Sequence, residues 1–168
     1  MNWLDLVILL VLAWFAIAGA TAGLPRELVT LLAMLLGVVL AGLFHERLAT
    51  DLLLFIDREQ TARVAAFAAI FFAVLGAGQI AMVLFKEQAL TLTFGPLEHP
   101  GGLVVGLLKG VILVEVALVL FARYRFVTMT EAIDGSLLAP FFLDGFPFVL
   151  RLLPGSFRTA VEAFPGGT

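Results

Sequence analysis

Residues 103–122 read LVVGLLKGVILVEVALVLFA, twenty residues whose only charges are Lys109 and Glu115. At about 1.5 Å per residue such a helix is about 30 Å long, the thickness of a bilayer's hydrocarbon core. A helix of a soluble bundle would keep a polar face, and this one is apolar all round. Working outward, residues 4–22, 28–44 and 64–85 repeat the pattern, and of all the charged residues only Asp5 joins Lys109 and Glu115 inside the four runs. That segregation marks transmembrane helices, because a charge at mid-bilayer costs about 2.5–3.5 kcal/mol on insertion scales. The expected fold is an all-α integral membrane protein: four transmembrane helices (4–22, 28–44, 64–85, 103–122) in a single domain over 1–168, plus a short interfacial or re-entrant C-terminal helix.

The composition agrees. Hydrophobic residues make up 62% of the 168, and charged residues only 14%, against about 45–50% and 25% in ordinary soluble domains; the mean hydropathy is +1.11. A net charge of -3 offers no basic field for a nucleic acid. The absence of cysteine excludes disulfides, thiolate metal sites and cysteine nucleophiles. His45 and His99 have no second imidazole at a ligand spacing, so no metal site is expected, and nothing suggests a cofactor.

The first run could be taken for a signal peptide ending at Ala20-Thr21-Ala22, but its leading residues carry no Lys or Arg and it exceeds an ordinary h-region, so a retained helix is expected. Residues 23–27, Gly-Leu-Pro-Arg-Glu, form a tight turn, which makes the first two runs an antiparallel hairpin. Residues 45–63 read as a surface helix at the interface, and 86–102, with Pro96 and Pro100, as a loop. The tail over 136–153 is apolar but broken by Pro140, Asp144, Gly145 and Pro147; Ser136 can cap a short helix there, and the end of the chain should fray.

Lipid gives no hydrophobic reward for burying leucine on leucine, so small residues that let backbones approach decide helix pairing. Gly19 and Gly23 close the first run, and Ala33, Gly37 and Ala41 stripe the second. The third has a ladder through Ala65, Ala69, Ala73, Ala77 and Ala81, and the fourth opens with Gly102, Gly106 and Gly110. The third and fourth helices are expected to cross through these two ladders, with Phe67, Phe71, Phe72 and Phe85 facing lipid or filling gaps.

Ionisable groups inside a membrane are functional candidates by default. If the helices alternate in direction, Glu27, Gln79 and Lys109 share one layer, the latter two about 9 Å inside the same boundary. Lys109 either snorkels to the headgroups or meets Glu27, helped by Gln79. Asp5 suits the start of the first helix, with Asn2 as its cap. Glu115 is turned about 120° away from Lys109 and makes no helical pair with it.

Four motifs in order, Asn2-Trp3-Leu4-Asp5-Leu6-Val7, Gly23-Leu24 with Arg26-Glu27-Leu28-Val29, Gly106-Leu107-Leu108-Lys109-Gly110, and Ser136-Leu137-Leu138-Ala139-Pro140, resemble the landmarks of the colicin V production protein (CvpA) family over most of the chain. The resemblance implies a multi-pass protein of the bacterial plasma (inner) membrane that supports colicin V production or export and envelope homeostasis, with no established enzymatic chemistry. Some relatives carry a periplasmic serine protease, and none is expected here. The alternative from the residues themselves is a small-solute channel or carrier with a polar path through Lys109, Gln79 and Glu115. Expected partners are the lipid bilayer and a second copy or an envelope or secretion protein docked on the glycine ladders and tail. Arginines at 47, 58, 63, 123, 125, 151 and 158, against Arg26 and Lys86 on the other side, put the termini in the cytoplasm by the positive-inside rule. The basic first turn usual in the family argues the reverse; the arginine count tips the expectation slightly to cytoplasmic termini.

Overall fold

In the structure, a computed structural model that describes residues 2–54, 56–84, 95–124, 132, 133 and 135–145, Asn2 opens the first helix as a capping box. The Trp3 amide donates to Asn2 Oδ1 at 2.6 Å, and the Asn2 amide donates to Asp5 Oδ2 at 2.7 Å. This helix, α1 (Trp3–Ala22), is followed by α2 (Leu24–Leu52), α3 (Glu59–Leu84), a 3-10 turn (Gly95–Leu97), α4 (Glu98–Tyr124) and a short α5 (Ala139–Gly145), with no strand among the described residues. Among the described residues, four helices are long and apolar enough to cross a membrane. The chain is an all-α, multi-pass membrane protein with a short C-terminal helix.

Gly23 both ends α1 and opens α2. Its φ of +85° turns the chain at a position where a side chain would be strained, while its N–H closes α1 on the Gly19 carbonyl at 3.1 Å. Pro25 follows in the first turn of α2, where a missing N–H removes no helical bond. Two expectations about the connections need correction. Residues 45–63 are not a separate interfacial helix: 45–52 are the last turns of α2, because no glycine or proline interrupts 43–52 and the buried stripe Ala41, His45, Ala49 carries the helix onward, while 59–63 open α3. Residues 98–102 are helical rather than loop, because Pro100 lies within the first turn of α4 and breaks no intrahelical bond. Phe85, the loop at 86–94, the polar stretch at 128–131 and the tail beyond Gly145 lie outside the described residues.

The helices stand in a row, α1, α4, α2, α3. Residues α1 and α2 would share as a tight hairpin are few: each packs mainly on another helix, α1 on α4 and α2 on α3. The α1–α4 crossing is made of backbone. A methyl group on Gly19 would fall 2.2 Å from the Gly102 carbonyl oxygen, and one on Gly106 would fall 2.3 Å from that of Phe15. Gly110 sits against Leu12 and Phe15, so the two helices run antiparallel along this seam.

The expected crossing of the third and fourth helices through their ladders does not occur. The glycine ladder of α4 meets α1, and α3 hardly touches α4. On α3 the alanine ladder faces outward: Ala69, Ala73, Ala77 and Ala81 are exposed. The buried side is Ala62, Ala66, Phe67 and Phe71, with Phe71 seated on Gly37 of α2, where a methyl group would come within 3.2 Å of its ring. A phenylalanine entering a glycine notch makes many more van der Waals contacts than alanine on alanine, and in lipid those contacts decide which face turns inward. Phe72 points outward. The core continues through Val38, Ile112, Val119 and Phe142, while Trp14, Ile17, Leu32, Ile80 and Val83 form part of the apolar exterior that lipid would cover.

Candidate functional site

Between the close-packed glycines Gly106 and Gly110, Lys109 projects from α4 into the angle between α1 and α2. Its ammonium lies 2.5 Å from Glu27 Oε2 and donates to Thr30 Oγ1 at 2.9 Å. Thr30 in turn donates to the Glu27 carbonyl at 3.0 Å, and the Phe15 ring lies 5.7 Å from the ammonium, within cation–π range. The two charged side chains are 11% and 6% exposed, so Lys109 is held inward and does not snorkel. Glu27 stands in the first turn of α2, where the helix dipole favours a carboxylate.

This pair floors a cleft of about 290 Å³. Ala18, Thr21 and Ala22 of α1 form one wall, Arg26, Glu27 and Thr30 of α2 another, and Gln79 of α3 and Lys109 of α4 complete the lining. The depth relation among Glu27, Gln79 and Lys109 thus corresponds to one shared cleft. Gln79 lines it without bonding to Lys109. Glu115 is not part of this lining; it is buried on α4, 1% exposed.

A second polar cluster sits around Asp5, toward the N-terminal end of α1. Asp5 Oδ1 accepts from Ser136 Oγ at 2.6 Å and from the amides of Leu137 and Leu138, each at 3.0 Å. Ser136 Oγ accepts from the Ala139 amide at 3.0 Å, and Asn2 Nδ2 donates to the Ala132 carbonyl at 3.2 Å. Asp5 therefore does more than start α1: its carboxylate, 1% exposed, occupies the N-terminus of α5 and fastens it to the other end of the sequence. Sequence reading missed this link. The signal was present, since a carboxylate in an apolar run needs donors, and a serine cap before a Pro-led helix supplies amides without intrahelical partners.

The Asp5 clamp makes a direct prediction. Asp5→Ala should speed hydrogen exchange at the Leu137 and Leu138 amides by roughly tenfold or more, because hydrogen bonds to a charged group contribute about 1.5–3 kcal/mol and about 1.4 kcal/mol is a factor of ten. Ser136→Ala should have the smaller effect of a lost cap, about 1 kcal/mol.

Chemically, both clusters tie helices together. Ser136 donates its hydroxyl proton to the Asp5 carboxylate and accepts from the Ala139 amide, so the hydroxyl bridges α1 to the start of α5. His45 is buried on α2, its Nδ1 against the Ala41 and Gly42 carbonyls and its ring edge-on to Phe67. No group of His, Asp or Glu among the described residues is arranged to hold a metal ion.

Residues 4–147 match the family model described as colicin V production protein. No curated protein and no solved structure matches the chain.

Proposed function

Because this chain belongs to the colicin V production protein family, matched over residues 4–147, we propose that it is a non-enzymatic protein of the bacterial inner membrane that supports colicin V export and envelope homeostasis. The observation that carries this reading is the use made of the intramembrane polar groups. Asp5 is spent on anchoring α5 and Lys109 on joining α4 to α2, so the polar atoms serve assembly. A helical platform cross-tied in this way suits docking of an export or envelope partner, or of a second copy.

The test is complementation. In a colicin V-producing strain lacking its own family member, the chain should restore the zone of growth inhibition around colonies. Lys109→Met should fail to restore it, and Ala77→Leu on the outward face of α3 should succeed. Normal inhibition zones without any family member would sink the export role.

A second reading, a small-solute channel or carrier, draws on the cleft lined by Gln79 and Lys109. Its lining includes neither Glu115 nor Asp5, so the polar groups do not line up as a continuous path, and the accessory role is preferred. Solute or ion flux in liposomes, abolished by Gln79→Leu, would reverse that preference.

A further inference from the structure

We propose that the cleft between α1 and α2 binds an anionic phosphate ester, namely the headgroup of an anionic membrane lipid. The charge balance points to an anion. Glu27 and Lys109 neutralise each other on the floor, which leaves the Arg26 guanidinium as the net charge of the lining. Neither Arg26 nor the Gln79 amide has a side-chain partner among the described residues. Arg26 belongs to the first turn of α2, whose positive dipole end adds to the field. A guanidinium fork matches two phosphate oxygens at once, and the Gln79 amide supplies a further donor from the opposite wall.

Size and surroundings select the source. About 290 Å³ is at the lower end of ligand pockets, room for a headgroup rather than a large solute. Ile17 precedes the lining residue Ala18 and Ile80 follows the lining residue Gln79, and they are 65% and 63% exposed, so apolar surface for acyl chains adjoins the polar cleft. The turn holding Arg26 joins two membrane-length helices, which puts the guanidinium at the level where lipid phosphates lie.

The experiment is native mass spectrometry of the detergent-solubilised full chain with added phosphatidylglycerol or phosphatidylcholine. It reads binding on the purified protein and so succeeds or fails independently of the export role. Phosphatidylglycerol should be retained about tenfold better than phosphatidylcholine, and Arg26→Gln should remove that preference while Arg26→Lys keeps part of it. Arg47→Gln, on the surface of α2 away from the cleft, should leave the preference intact. Displacement of the lipid by inorganic phosphate would uphold the anion site and assign it to a soluble phosphate ester. Equal retention of the two lipids, or an Arg26→Gln protein that behaves like Arg47→Gln, would overturn the proposal.

Discussion

Replacing Lys109 by Met is expected to destabilise the protein by about 3–5 kcal/mol, the cost of stranding a buried charge when its partner is removed. Glu27 is 6% exposed on its side chain and would be left beside Thr30 without the ammonium that pairs with it. The double replacement Lys109→Met with Glu27→Leu should recover most of that loss, because a well-packed apolar pair of similar volume avoids desolvating two ions. The coupling is measurable as a double-mutant cycle in detergent denaturation, since the residues touch and their effects cannot add. If the double replacement were as unstable as the single one, Lys109 would be acting through packing and not through its charge.

Gly106→Leu carries the other large effect. Even a methyl group at Gly106 would stand 2.3 Å from the Phe15 carbonyl oxygen and 2.8 Å from the Gly19 Cα, and neither is a side chain that can move aside. Overpacking ordinarily costs about 1–3 kcal/mol; against backbone on both sides, the loss should reach or pass the upper end of that range. Ala77→Leu is the matched control. Ala77 is exposed on α3, and a substitution away from packing features usually changes stability by no more than about 0.5 kcal/mol. Thermal melting in one detergent compares the two. A Gly106→Leu protein as stable as Ala77→Leu would mean that the α1–α4 seam opens without cost.

The contrast between these two positions also marks how far sequence reading reaches. In sequence Gly106 and Ala77 look alike, each a small residue in a run spaced by four. In the structure one lies at a backbone crossing and the other faces outward. Their neighbours separate them: Phe67 and Phe71 supply large knobs, and Gly37 supplies the notch that turns α3 by its aromatic side. Depth, by contrast, was legible. The placement of Glu27, Gln79 and Lys109 near one boundary followed from counting residues along each helix, because a fixed rise converts sequence distance into height.

Sequence by itself determined the membrane class, the four long helices found among the described residues and the shared level of Glu27, Gln79 and Lys109. These rest on transfer cost per residue and rise per residue, which are properties of each segment alone. Tertiary structure alone decided that α4 lies between α1 and α2, that the alanine ladder looks outward, and that Asp5 clasps a helix beginning some 130 residues later. Hydrophobicity cannot rank one apolar face above another in lipid, so the partner of each face is chosen by fit between shapes and by hydrogen bonds across distant segments.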